Sequence, residues 1–250
     1  MFKLLRFEFR KLMQSRGFYI CTAILVLLSG LSVYTAKFAQ DQLGITSPDA
    51  SGIKSLMEAL PTSSITMLLG IFIAIFVCED YTSGTIRNIL TRGYSRLSIY
   101  AAKFVAVILA AVVMSTFCCL ASYAVGTYIW GHGDASFGAE QVKILLYQLA
   151  VVLAYASIFY AICSVIQKTG GSIACCVVLP LLVTVVLKLA DTALFEREIE
   201  LTSYWLESIS HSIASVSVEG EDLHRALFGS VVYTIASLVI GWLATMKREY

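Results

Sequence analysis

The chain reads as an all-α integral membrane protein with six transmembrane helices, and three observations carry that reading. Its 250 residues are 58% hydrophobic and only 14% charged, with a mean hydropathy of +0.79, where a soluble domain has about 25% charged residues. Six apolar, charge-free runs lie at residues 18–36, 62–78, 104–129, 144–166, 172–187 and 226–246. Each is close to the roughly 17–25 residues that cross a bilayer core as helix. The third observation is an absence: the strict alternation of a barrel strand does not occur. Because backbone groups in lipid must be satisfied within their own segment, helix is the form that fits.

Charge sets the orientation. Lys3, Arg6, Arg10, Lys11 and Arg16 precede the first run, and Arg87, Arg92, Arg96 and Lys103 lie between the second and third. Lys168 follows the fourth, and Lys247 and Arg248 end the chain. That side carries twelve basic and four acidic residues and the other six basic and thirteen acidic, so the net charge of +1 conceals a strong asymmetry. Basic residues stay in the cytoplasm, which puts both termini inside and agrees with an even number of spans. A bacterial cell membrane is the expected location. A cleaved signal peptide is the competing reading of the N-terminus, but the apolar run is longer than a usual signal core and an organised helical pattern precedes it.

Taken in order, residues 2–16 form a helix lying on the membrane. Phe2, Leu5, Phe9, Leu12 and Met13 recur at helical spacing, with Lys3, Arg6, Arg10 and Lys11 around them, a pattern that suits the headgroup boundary. Gly17 supplies a corner into the first span. The first outer loop, residues 37–60, contains Gly44, Pro48 and Gly52 and reads as mostly irregular. Pro61 opens the second span, where its missing N–H costs nothing. The cytoplasmic segment 79–100 follows, then the third span, a short polar outer loop at 130–143, and the fourth span. Gly170-Gly171 marks a tight turn, and Pro180 is expected to kink the fifth span.

The last outer segment, residues 188–225, is the longest. Tyr204, Trp205, Leu206, Ile209, Ile213, Val216 and Val218 are too apolar for free solvent, yet the stretch is too short to span. Re-entrant or interfacial short helices before the sixth span fit it, as does a small folded cap. Glu219, Glu221 and Asp222 then place negative charge at the start of the last helix. With no repeat and no low-complexity region, residues 1–250 form a single membrane domain.

Much chemistry is missing. No ionisable residue lies inside an apolar run, which argues against a carrier driven by protons or sodium. There is no G-x-x-x-x-G-K-[ST] phosphate loop. His132, His211 and His224 lie in outer segments without ligand or catalytic spacing, so neither catalytic nor metal-ligating residues are expected. The seven cysteines, Cys21, Cys78, Cys118, Cys119, Cys163, Cys175 and Cys176, lie in or beside the runs and imply no disulfide framework. A nucleic-acid partner is not expected either. What the spans do offer is neutral polarity, and Tyr123, Gln148, Tyr155, Tyr160 and Thr184 are the candidates for an uncharged path across the membrane. The competing role for each is a helix–helix hydrogen bond, worth about 0.6 kcal/mol on average.

Segment 79–96 is the one well-punctuated basic stretch on the inner face: Glu79-Asp80-Tyr81-Thr82-Ser83-Gly84-Thr85-Ile86-Arg87-Asn88-Ile89-Leu90-Thr91-Arg92-Gly93-Tyr94-Ser95-Arg96. Ser83-Gly84 can start a helix, Gly93 can stop it, and Ser95 can cap the next one. Ile86, Ile89 and Leu90 make an apolar stripe, with Arg87, Asn88, Thr91 and Arg92 off it. Two turns are too short to be stable alone, so this helix needs a surface, either lipid headgroups or a partner protein. Glu79 and Asp80 sit where they can pair with Arg6, Arg10 or Arg96.

The order of an amphipathic N-terminal helix, six spans and Glu79-x-x-x-x-Gly84-Thr85-Ile86-Arg87 after the second span resembles the type-2 permeases of ATP-binding-cassette exporters. Leu90 and the Ser95-Arg96 pair extend the match, whereas Gly93-Tyr94 stands where the family commonly has Pro. The resemblance implies that residues 79–100 are a coupling segment, with Glu79, Gly84, Thr85, Ile86, Arg87, Ile89, Leu90 and Arg92 meeting a soluble ATPase subunit. It implies that ATP and Mg are bound by that partner and by no site on this chain, which is itself not an enzyme. It also implies a second permease chain, in a complex of two permeases and two ATPases. The acidic outer face favours amphipathic or antimicrobial peptides as exported cargo, with lipids or small hydrophobic drugs as the alternative. A non-transporting membrane scaffold or sensor subunit is the alternative of another kind.

Overall fold

In the computed structural model, residues 2–43, 51–61, 63–132, 138–193, 201–213 and 220–246 are described. Their helices are α1 (Phe2–Gln14), α2 (Arg16–Leu43), α3 (Gly52–Met57), α4 (Ser63–Thr82), α5 (Thr85–Thr91), α6 (Arg96–Trp130), α7 (Ala139–Ile166), α8 (Thr169–Ala193), a 3-10 turn (Leu201–Tyr204), α9 (Leu206–Ser212) and α10 (Gly220–Met246). No strand occurs among the described residues. Six of these helices, α2, α4, α6, α7, α8 and α10, are long and apolar enough to cross a bilayer. The protein is an all-helical, multi-pass membrane protein.

The 35 residues of α6 make a rod of about 52 Å at 1.5 Å per residue, well beyond a hydrocarbon core of about 30 Å. Its N-terminus is set by Ser95, whose Oγ accepts from the Ser98 N–H at 3.2 Å, as the sequence suggests. The 25-residue α8 runs without a break through Pro180, so the fifth span is longer than its apolar run implies.

Packing is centred on α4 and α7. Leu69, Ile73, Ala74 and Val77 of α4 and Val151, Val152, Ala154 and Phe159 of α7 are fully buried. Lipid tails are as apolar as these side chains, so burial alone does not hold spans together, and close packing of small and hydroxylated residues has to. The α7–α10 seam shows it, with Ser237 Oγ donating to Ser157 Oγ at 2.9 Å. The outward faces of α2, α8 and α10 expose leucine, isoleucine and valine, among them Leu27, Leu31, Leu181, Leu182, Ile235 and Ile240, as a lipid-facing surface requires.

Several local expectations need correction. The chain turns at Ser15, not at Gly17: the Ser15 N–H closes on Leu12 O at 3.1 Å and α2 already begins at Arg16. The stretch between the first two spans is not mostly irregular over its described part. Residues up to Leu43 stay helical, and α3 is a buried short helix capped by Ser51. It lies hard against α6, where a Cβ on Gly126 would stand 2.5 Å from Ser55 Oγ; only glycine admits that approach. Between α7 and α8 the turn is made by Gln167, at φ 58°, whose N–H bonds Cys163 O at 2.9 Å, while Gly170 and Gly171 already belong to α8. Before the last span, the 3-10 turn and α9 bury Trp205, Leu206, Ile209 and Ile213. Val216, Val218 and Glu219 lie outside the described residues.

Candidate functional site

The short helix α5 stands between two glycines in the left-handed region, Gly84 at φ 69° and Gly93 at φ 83°; both have open space around them, but a backbone of this hand strains any residue with a side chain. The turns around these glycines aim the helix. Ile86 and Ile89 point inward and are buried. Ile89 joins Leu4 of α1 with Ile99 and Ala102 of α6, and Leu5, Leu90 and Tyr94 pack around them. The surface that the two-turn helix needs is therefore supplied by the chain itself. This corrects the expectation that lipid or a partner protein covers the stripe. The opposite face presents Arg87, Asn88, Thr91 and Arg92 to solvent. Thr85 is half-buried, its hydroxyl 2.8 Å from that of Ser83.

Below α5 lies a buried cluster of charges. Asp80, near the end of α4, is clamped by Lys11 of α1 on one oxygen and by Lys103 of α6 on the other. Lys103 Nζ also stands 3.6 Å from Glu8 Oε1. Lys11 Nζ stands 3.8 Å from Glu79 Oε2, donates to Phe76 O at 3.5 Å, and lies 4.9 Å from the centre of the Phe76 ring. Glu8, Asp80 and Lys103 are all nearly inaccessible, and both Glu8 oxygens are buried without a hydrogen-bond partner. Burial pushes the Lys11 ammonium below its ordinary value, with Glu8 and Glu79 opposing the shift.

One sequence expectation fails here. Glu79 and Asp80 do not pair with Arg6, Arg10 or Arg96. Arg6 and Arg10 lie on the exposed side of α1, and Arg96 instead donates to Met246 O at 3.2 Å, at the end of α10. Asp80 and Lys103 lie outside the apolar runs, as the sequence has them, but on the same helices, because α4 and α6 extend past those runs. Both sit near helix ends and neutralise each other. Leu4, Glu8 and Leu12 form the buried stripe of α1; a carboxylate four residues from each of two inward leucines was the signal that composition concealed.

The five residues proposed for a path do not converge. Tyr160 is fully buried and its hydroxyl donates to Tyr100 O at 2.9 Å. Gln148 is equally enclosed, and its Nε2 donates to Met57 O at the end of α3 and to Ile213 O just after α9, each at 2.9 Å. These two residues tie elements together, and neither lines the cleft described below. Tyr123 meets His132 Nδ1 at 2.8 Å at the far end of α6. Only Tyr155 and Thr184 lie near a common space, around α9. Trp205 Nε1 donates to Thr184 Oγ1 at 2.9 Å, and Thr184 bonds the Glu207 carboxylate. The Trp205 and Tyr155 rings meet edge to face at 6.3 Å. Beside them a cleft of about 170 Å³ opens between α4, α7, α8 and α9. Its lining includes Ser64, Met67, Tyr155, Pro180, Leu181 and Glu207. Glu207 was not singled out from the sequence, where it is one acid of many on its side.

No group of three or more histidine, cysteine or acidic residues is arranged to hold a metal among the described residues. Comparison with known proteins gives one family: residues 4–191, from α1 almost to the end of α8, match the model described as ABC-2 family transporter protein. No curated protein matches the chain.

Proposed function

Since this chain belongs to the ABC-2 family of transporter membrane proteins, we propose that it is the membrane-spanning half of an ATP-driven exporter, gripped by a soluble ATPase through the outward face of α5. Membrane permeases of this family lack the ATPase domain and generally pair with an ABC ATPase. Most of the support comes from one observation. The apolar side of α5 is fastened to α1 and α6, while its other side holds Arg87, Asn88, Thr91 and Arg92 free in solvent. Neither arginine forms an ion pair among the described residues. Partner-facing residues then reduce to these four with Thr85, and Ile86, Ile89 and Leu90 serve by holding the helix in place. Gly84 aims it, and Glu79 anchors it through Lys11.

A push on α5 has a short route inward. It passes from Ile89 to Ile99 and Ala102 of α6, and from α4 through Asp80 to Lys103 and Lys11. Those contacts join α1, α4 and α6 as one body, so that ATP-driven closure of the ATPases moves the long α6 rod and the spans beside it. The uneven distribution of basic residues supports cytoplasmic termini. A second copy of the chain completes the translocation path, with the exposed apolar side of α8 as the available surface. Cationic amphipathic peptides are the favoured cargo, on the strength of the acidic outer side. The mostly apolar lining of the cleft supports lipids or small hydrophobic drugs as a second reading.

The test is co-purification. Arg87→Glu with Arg92→Glu should abolish capture of the cognate ATPase and cargo-stimulated ATP hydrolysis, while thermal stability of the permease in detergent stays within about 0.5 kcal/mol, as for exposed substitutions. Capture and stimulation at wild-type levels in this variant would remove α5 from the account. Uphill transport by the purified chain without any nucleotide-hydrolysing companion would remove the exporter reading altogether.

A further inference from the structure

We propose that the cleft between α4, α7, α8 and α9 binds an organic cation with an apolar body, and that Glu207 is its counter-ion. Among the described residues, Glu207 is the one charged residue lining the cleft. No lysine, arginine or histidine among the described residues forms an ion pair with it. Its bond from Thr184 engages Oε2, and the Thr184 hydroxyl is itself fixed by the Trp205 N–H and lies 2.9 Å from Pro180 O. The carboxylate is thus oriented by neutral groups and left without an opposite charge. Glu207 is half-buried, whereas the fully enclosed acids Asp80 and Glu8 each meet Lys103.

Around this carboxylate the walls are of two kinds. Met67, Pro180 and Leu181 offer an apolar bed, and Tyr155 adds an aromatic side chain to the wall. Ser64 and Ser210 add hydroxyls. A space of about 170 Å³ takes one aromatic or aliphatic group with an ammonium or guanidinium head; it does not take a folded peptide. The guest is a small amphiphilic amine, or one basic side chain of a longer molecule. Fit to such a guest follows from the single charge, since a cation gains an opposite charge that an isosteric neutral molecule does not.

That this site belongs to the exported cargo rests on the function proposed above; that it binds cations does not, and the test separates the two. The full chain is placed in nanodiscs of zwitterionic lipid with Trp130→Phe and Trp242→Phe, so that Trp205 is the remaining tryptophan. The probes are 2-phenylethylammonium and neutral 2-phenylethanol, followed by Trp205 emission. Expected is at least ten-fold tighter binding of the ammonium, reduced to within two-fold of the alcohol by Glu207→Gln and left unchanged by Glu140→Gln, which removes an exposed acid at the start of α7. A second variant, Ser64→Phe, fills the cleft without touching the carboxylate and abolishes binding of both probes. Equal affinities in the parent protein, a preference that survives Glu207→Gln, or binding that survives Ser64→Phe would each overturn the site. Because no ATPase is present, failure here leaves the exporter reading standing, and failure of ATPase capture leaves this site standing.

Discussion

At the end of the bundle that carries α1 and α5, helices are joined by full charges: Asp80, Lys103 and Glu8 meet in a space closed to solvent, with the half-buried Lys11 at its edge. At the end that carries α3 and α9 they are joined by hydrogen bonds from neutral donors. Gln148 holds the carbonyls of Met57 and Ile213, and Trp205 leans on Thr184. The difference decides how each end can move. Separating buried ions strands an uncompensated charge, at several kcal/mol for each one, so the charged end moves as a block. An amide or hydroxyl bond exchanges for a bond to water at a net loss of about 1 kcal/mol, so the neutral end opens readily once water is admitted. The exporter proposed above, driven through α5 and opening at the other end, would need this inequality.

The largest effect expected breaks the charged end. Asp80→Ala leaves Lys11 and Lys103 facing each other and should cost about 3–5 kcal/mol, read as loss of monodisperse protein or a steep fall in melting temperature in detergent. Replacing the inner triad together, as Glu8→Leu, Asp80→Leu and Lys103→Met, should recover most of that stability, since well-packed apolar side chains often equal a buried ion group. If Asp80→Ala is neutral, the charged end is not the stiff one. Next comes Gln148→Leu, which removes the donor to two carbonyls, each worth ~1–3 kcal/mol when left unsatisfied in the interior. Here the expected readout is local. Amide exchange should rise in α3 and α9, while α1, α5 and the first turns of α6 keep their protection. Third, Gly126→Val drives a side chain into Ser55 and Gly52, where even a Cβ stands 2.7 Å from Ser55 Cβ. Overpacking of this kind typically costs ~1–3 kcal/mol, and the loosening should appear in α3 without reaching Lys103.

The six membrane-crossing helices were legible because their apolar runs are long and nearly free of charge, and backbone satisfaction in lipid allows one form for such runs. Caps were legible as well: Gly84, Gly93 and Ser95 begin and end helices where the residue types say they should. Pairing across the fold was not. Lys103 sits one residue before an apolar run, in the helix that Ser95 is expected to cap, and nothing local in the sequence says that α6 carries it inside. Its partners Asp80 and Glu8 lie 23 residues away on α4 and far off on α1, and no local pattern states which basic residue closes on which acid. Gln148 was legible as a polar group in a span but not as a clamp, because its acceptors are backbone carbonyls on two short helices. Glu207 was hidden among the acids of its side until α9 brought it to the cleft.

The smallest effect sharpens the comparison most. Ser95 caps α6 at its charged end through the Ser98 N–H, and removing such a cap costs about 1 kcal/mol in general. Lys103 lies two turns into the same helix and is held by Asp80 independently of the cap. Ser95→Ala should therefore stay near or below that figure in detergent melting, and the first turn of α6 should fray without disturbing α5, whose Ile89 packs on Ile99 and Ala102. Two adjoining features are in competition for the rigidity of this end, a hydrogen-bonded cap and an ion cluster. If Ser95→Ala lowers stability as far as Asp80→Ala does, the helix start and not the buried charge stiffens the driven end. In that case the rigid coupling of α5 to α6 must be assigned to the turn at Gly93–Ser95.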